Sequence, residues 1–148
     1  MAELDASAFD FWLGEWDCDF EGGHAVNTVT REYDGNVVME RFRADSPRRW
    51  AGMSVSVRGA HDGVWRQTWV DDAGGYLDFT GGFDGDRMIL SREAEINGTV
   101  TQQRMVFRNI EANSLDWDWE VSTDGGETWQ MRWQIRYARK GSSSSSTK

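Results

Sequence analysis

The chain has 148 residues, among them nine tryptophans, and a formal charge of −9 at pH 7. That length suits one domain with a sizeable core. The acidity leaves no basic stripe for phosphates, which argues against nucleic acid and against an anionic membrane surface.

Cys18 is the only cysteine, so no intrachain disulfide forms and no metal site draws on a cysteine cluster. The N-terminus lacks a basic segment followed by an apolar run, and no apolar run reaches the ~20 residues of a membrane span. A cytoplasmic protein is expected. Residues 1–140 read as one domain. Residues 141–148 are a Ser-rich low-complexity tail, expected to be disordered and foreign to the fold.

The chain opens on Phe9-Asp10-Phe11-Trp12-Leu13-Gly14-Glu15-Trp16-Asp17, too apolar to be a free tail. Asp5 is a plausible N-cap for a short helix or 3₁₀ turn over 6–13, which Gly14 ends. From Trp16 the period becomes two, with Trp16, Cys18 and Phe20 on one face and Asp17, Asp19 and Glu21 on the other. This is a lid that turns into a first strand.

Alternating segments then recur, with strands expected at 15–21, 25–33, 37–44, 52–58, 64–71, 76–83, 87–94, 99–109, 115–123 and 128–139. Between them lies turn chemistry: Gly22-Gly23, Asp34-Gly35-Asn36, Asp62-Gly63, Gly74-Gly75, Asp84-Gly85, Asn97-Gly98, Asn113 and Asp124-Gly125-Gly126. Ten strands joined by tight hairpins form an antiparallel meander, and closing it into a barrel removes its edges. The expected fold is therefore all-β, an up-and-down antiparallel barrel of about ten strands with a short N-terminal helical cap. A sandwich is the alternative.

Alternation assigns most faces. Trp129, Met131, Trp133, Ile135 and Tyr137 share one face of the last strand; Leu115, Trp117, Trp119 and Val121 share one face of the strand before it. Trp65, Gln67, Trp69 and Asp71 go together, as do Met53, Val55 and Val57, and Gln103, Met105 and Phe107. Segments 37–44, 76–83 and 87–94 are ambiguous.

At this point the opening stretch becomes specific. Gly14-x-Trp16, after a helical turn and at the start of the first strand, resembles the Gly-x-Trp signature of the lipocalins and the wider calycin superfamily. The fuller Phe9-Asp10-Phe11-Trp12-Leu13-Gly14-Glu15-Trp16 looks like the opening of an uncharacterised family of short bacterial proteins with a lipocalin-like fold. The segments 65–72 and Gly81-Gly82 have the same flavour. The resemblance covers 9–139. It implies a closed barrel with an internal cavity that binds something small, with Trp16 closing one end. It also implies a basic residue of the last strand packed over that indole, Arg139 or else Arg136. The chain departs from secreted lipocalins in having no disulfide and no long helix before the final strand. A separate stretch, Ser122-x-Asp124-x-Gly126-x-Thr128-Trp129, resembles the Asp-box of sialidases, a structural hairpin; a single copy implies only a stable turn built on Asp124.

The tryptophans either fill a core or wall a cavity. An aromatic-walled cavity suits a flat apolar or aromatic ligand, or a cation held by ring faces. The expected ligand-binding set is Asn27, Met53, Trp65, Gln67, Trp69, Gln103, Trp119, Trp133 and Tyr137, in which the polar members either bond one another or orient a ligand. Glu40, Asp78 and Tyr137 are candidate catalytic residues. Glu40 or Asp78, if inward, gains a raised pKa and general acid–base capacity, with Arg41 or Arg92 as a conceivable partner. His24 and His61 sit beside turn glycines, so haem and metal are disfavoured and no cofactor is expected. The function that follows is binding of a small hydrophobic or aromatic molecule. An isomerase- or cyclase-type enzyme and a packed structural barrel are the alternatives. A homodimer through outward Val and Arg positions is a further expectation.

Overall fold

The computed structural model describes residues 7–141. Asp5, named above as an N-cap, and the Ser-rich tail beyond Gly141 lie outside them.

Ten strands form one closed antiparallel barrel: β1 (Gly14–Phe20), β2 (Gly23–Glu32), β3 (Val37–Ser46), β4 (Trp50–Arg58), β5 (Trp65–Asp71), β6 (Tyr76–Asp84), β7 (Arg87–Ile96), β8 (Thr99–Arg108), β9 (Ser114–Ser122) and β10 (Gln130–Arg139). Each strand pairs with its neighbours in sequence. β1 closes the ring against β10, with Trp16 opposite Arg139 and Cys18 opposite Tyr137. All strand ends fall within two residues of the expected ones. Tight turns make this possible. At Asn97-Gly98 both residues adopt positive φ, 52° and 79°, which matches the twist of the flanking strands.

The helical cap is smaller than expected. It is a lone 3₁₀ turn, Asp10–Trp12, and Phe9 at its N-cap position offers no side-chain hydrogen bond. Tertiary packing holds it instead. The Phe9 ring stacks edge-on against Trp65 and Phe107 at 5.0 and 5.9 Å, and Trp12 meets Phe107 at 5.2 Å. Burying Phe9 and Trp12 almost completely contributes about 2–3 kcal/mol each. Arg31 of β2 pairs with Asp10 and ties the turn to the barrel wall. This plug seals the end where β1 begins and β10 ends.

The ambiguous strands resolve. β3 turns Val38, Glu40, Phe42 and Ala44 inward, with Arg41 and Arg43 exposed outside. β6 turns Leu77 and Phe79 inward; β7 turns Met88 and Leu90 inward. Two face assignments change. On β4 the apolar residues Met53, Val55 and Val57 are exposed, while Ser54 and Ser56 are buried. The serines are inside because each has a partner there, as described below. On β10 the register shifts between Met131 and Trp133. The extra residue of this β-bulge turns Met131 to the outside, 53% exposed, while Trp133, Ile135 and Tyr137 stay inside. Trp129 leaves the inner row as well; its ring lies 3.9 Å from the Arg104 guanidinium, which is ion-paired with Glu120 at 2.7 Å.

Candidate functional site

The barrel encloses a cavity of about 330 Å³. Six tryptophans line it: Trp12 from the plug, Trp50 from β4, Trp69 from β5, Trp117 and Trp119 from β9, and Trp133 from β10. Phe42, Leu77, Phe79, Met105 and Ile135 complete the apolar wall. Glu40, Gln67, Asp71 and Tyr137 supply its polar groups.

The tryptophans cluster toward the end opposite the plug. Trp133 meets Phe20 at 5.2 Å, Trp117 at 5.7 Å and Trp50 at 6.4 Å; Trp50 continues to Phe42 at 5.4 Å and Trp69 at 6.2 Å. The Trp50–Trp133 contact bridges over β1, β2 and β3 and buries Cys18, Ala25 and Ala44 beneath it. Trp50, Trp69, Trp117, Trp119 and Trp133 point inward yet are only half-buried, so the cavity opens among them. Gly52 permits this arrangement. The Trp69 ring packs against its backbone, where any Cβ would collide with the indole. Asp71 anchors Trp69 from the other side, accepting from its Nε1 at 2.9 Å and from the amides of Ala73 and Gly75 at 3.0 and 2.8 Å. The indole N–H and these turn amides hold the Asp71 carboxyl below the usual carboxylate range.

At the deep end, against the plug, is a buried polar cluster. Asn27 Nδ2 donates to Glu40 Oε2 at 2.8 Å and to the Tyr137 hydroxyl at 2.9 Å. Ser54 Oγ donates to Glu40 Oε1 at 2.7 Å. Gln67 Nε2 donates to Ser56 Oγ at 3.0 Å, a second bond of the same kind one step along the wall. Burial drives the Glu40 pKa upward, and the bonds from Ser54 and Asn27 only partly offset it. Burial also raises Tyr137 well above its ordinary range, helped by Cys18 and Glu40 nearby. The Trp12 indole N–H has no well-formed hydrogen bond but lies near enough to the Tyr137 hydroxyl to oppose that rise slightly. Cys18 is pushed up by burial and by Glu40. No cation bonds to Glu40 among the described residues; its partners are neutral.

The expected site residues divide as follows. Gln67, Trp69, Trp119, Trp133 and Tyr137 line the cavity, and Glu40 joins them. Asn27 is fully buried behind Glu40 and positions it. Trp65 is inward but is consumed by the plug, against Phe9. Gln103 is inward but lies away from the cavity, where it accepts from Arg92 Nη1 at 2.6 Å. Met53 is on the outer face, for the reason given above. Asp78 is exposed on the outer face of β6, because its neighbours Leu77 and Phe79 take the inward positions. Arg41 is outside, and Arg92 serves Gln103 rather than a carboxylate. His24 sits between Asp17 and Asp45 at 3.3 and 3.5 Å, and His61 is exposed in a turn; neither lines the cavity.

Sequence reasoning missed Trp12, Trp50 and Trp117 as cavity wall and Ser54 as a partner of Glu40. Trp117 was legible from its alternation with Trp119. Trp50 was not, since it precedes the expected strand start at 52.

Asp124 forms the expected hairpin. Its Oδ1 accepts from the amides of Glu127 and Thr128 at 3.1 and 2.9 Å, and its Oδ2 accepts from Thr128 Oγ1 at 2.6 Å. These bonds, led by the Thr128 hydroxyl, hold its carboxyl far below the usual range.

The fold and site together define a class: a closed ten-stranded antiparallel barrel, plugged at one end, with an aromatic cavity and a buried carboxyl at its depth. No family model matches the chain, and no curated protein matches it in sequence.

Proposed function

We propose that the protein binds a small hydrophobic or aromatic molecule inside the barrel. The observation that carries this reading is the cavity of about 330 Å³ walled by six tryptophans. It lies at the small end of ligand pockets, which run from roughly 300 to 1,000 Å³ and combine apolar walls with a few placed polar groups. Glu40, Gln67 and Tyr137 are such groups here. A fully packed structural barrel fits that void poorly. The Gly14-x-Trp16 bend with Arg139 over the indole supports placing the barrel among the lipocalin-like folds, and with them a carrier role. Native mass spectrometry of protein purified from its own host, with tryptophan emission read across a panel of apolar ligands, tests the proposal. A retained or titratable ligand supports it. Unchanged emission for every ligand, with no retained mass, sinks it.

A second reading has its own observation. Glu40 is a buried carboxyl with a raised pKa that lines the cavity, beside the Tyr137 hydroxyl. Such a pair suits proton transfer in an isomerase- or cyclase-type reaction. Glu40→Gln then keeps binding and loses turnover.

The homodimer reading rests on the outer strip of Met53, Val55, Val57 and Val70, all exposed, with Met53 opposite Val70 across β4 and β5. Sedimentation of wild type against Val55→Lys decides it: a dimer that the charge dissociates is expected, and a wild-type monomer ends the idea.

A further inference from the structure

We propose that the cavity selects a small organic cation, an amine in its ammonium form carrying an aromatic or aliphatic body, with Glu40 as its counter-ion. This rests on the cavity-binding reading above and names the chemistry of its ligand.

Three observations converge. First, the charge of the lining has one sign. Glu40 stands at the deep end and Asp71 at the mouth, and among the described residues no Lys, Arg or His lines the cavity. The cations on inward-facing positions lie elsewhere: Arg92 is engaged with Gln103, Arg58 stands beside Trp65 at the plugged end, Arg31 pairs with Asp10 of the plug, and Arg139 lies over Trp16. Second, Glu40 is buried without a counter-ion among the described residues. Its two oxygens each accept one hydrogen bond, from Asn27 and from Ser54, and both donors are uncharged. A carboxyl presented as an acceptor, in an apolar enclosure and with no cation, is costly to ionise in the empty protein. An ammonium group entering the cavity removes that cost. Third, the wall is indole. Tryptophan has the ring face most favourable to a cation, and the rings that crowd the mouth meet mainly edge to face, as Trp117 does with Trp133 at 85° and Trp50 with Trp69 at 74°. In a crossed pair one ring presents only its edge, so its own faces are not covered by that partner. A neutral apolar ligand needs the wall alone, and an anion would pass the Asp71 carboxylate at the mouth and find no cation among the described lining residues. Only a cation uses the wall and the carboxyl together. The chain's charge of −9 draws the same species toward the mouth.

The titratable groups around Glu40 do not compete for this role. Cys18 on β1 and Tyr137 on β10 are both held above their ordinary pKa values and stay neutral. Ser54 on β4 and Asn27 on β2 carry no charge. The ammonium therefore pairs with one carboxylate, and Glu40 gives its proton to solvent when the pair forms.

The test compares three probes of one shape: naphthalene-methylamine, naphthalene-methanol and naphthoic acid. Each is titrated calorimetrically into the full chain near neutral pH, then into Glu40→Gln. The amine is expected to bind about tenfold or more tighter than the alcohol, and the acid weakest. In Glu40→Gln the amine-to-alcohol preference should fall to near one. An alcohol that matches or beats the amine in wild type overturns the cation assignment and leaves the cavity reading standing. No binding by any probe ends the cavity reading and this inference with it. A preference unchanged in Glu40→Gln removes Glu40 as the counter-ion. Should that variant fail to fold, the wild-type preference measured from about pH 4 to about pH 8 decides instead. It must grow as Glu40 ionises, and an invariant preference overturns the proposal.

Discussion

Arg139 lies over the Trp16 indole with its guanidinium carbon 4.1 Å from the ring centroid, and the same guanidinium reaches back to the chain that leads into that tryptophan. Its Nη1 donates to the Leu13 carbonyl at 2.6 Å, its Nη2 to Phe11 at 3.3 Å and its Nε to Ala112 at 3.1 Å. Trp16 Nε1 in turn donates to the Trp12 carbonyl at 2.9 Å. One side chain from the last strand thus fixes the plug, the first strand and the β8–β9 loop. Gly14 makes room for it: its φ is 121°, and a Cβ there would strike Arg139 Nη1.

This clamp should be costly to remove. Trp16→Ala is expected to lose about 3–5 kcal/mol, because a fully buried indole leaves a cavity that the rigid barrel cannot collapse. Arg139→Ala should lose about 1–3 kcal/mol through the freed carbonyls and the lost ring contact. Arg139→Lys should recover little, since an ammonium cannot span three carbonyls while lying flat on a ring. Urea unfolding of the three variants measures this. Wild-type stability in Trp16→Ala would mean that the plug does not hold the barrel closed.

Glu40 should make the barrel less stable as pH rises. Its folded pKa is raised above the ordinary 4.5 of a glutamate, so the folded state holds its proton after the unfolded chain has released it. Below that value both states are protonated and Glu40 is neutral toward folding. Above it, stability declines until pH passes the folded pKa. Glu40→Gln removes the titration while keeping an amide in the network. The stability of this variant relative to wild type should therefore increase as pH rises above the ordinary glutamate value. A difference that is flat with pH would show that Glu40 is not desolvated.

Gly52→Ala should disturb the mouth. The added methyl has no room beneath Trp69. Rotation of that ring should cost about 1–3 kcal/mol, the usual range for overpacking. It should also shift tryptophan emission, since Trp69 contacts Trp50 and Phe42. An unchanged emission spectrum at unchanged stability would argue against the close packing of Trp69 on the β4 backbone.

Cys18 should be silent in the folded protein. It is fully buried, and burial together with the nearby Glu40 keeps it a thiol at neutral pH. A thiol-specific reagent should label it only at the rate of unfolding. Fast labelling of the native chain would mean that reagents reach the β1 wall beneath Trp50 and Trp133.

Much of this architecture is local in origin, which is why it can be read from the chain. A strand of period two bounded by Asx-Gly turns needs only its own residues to be recognised. Ten of them in a row leave two edges that closure alone removes. Trp117 and Trp119, Trp65 and Trp69, and Leu115 and Val121 declare their face by alternation. Glu40 could be nominated but not placed, because Val38 and Phe42 on its own face compete with Val37 and Met39 on the other. Its facing depends on Asn27 and Ser54, which approach from strands on either side. The same physics reversed Met53 and Ser54: hydrophobicity favours the methionine inside, but a buried carboxyl needs the serine there. The bulge at β10 erased another inference, since one inserted residue exchanges the faces of everything before it and alternation does not reveal the insertion. Asp78 lost to the bulk of Phe79.

The sequence by itself determined the number of strands, their order, their turns and the residue that closes the first one, because these follow from patterns within about ten neighbouring residues. The tertiary structure alone decided that six tryptophans from five separate segments surround one space, and that a buried carboxyl stands at its depth with no counter-ion among the described residues. Those facts depend on which side chains meet across a closed ring, a relation between residues as distant in the chain as Asn27 and Tyr137.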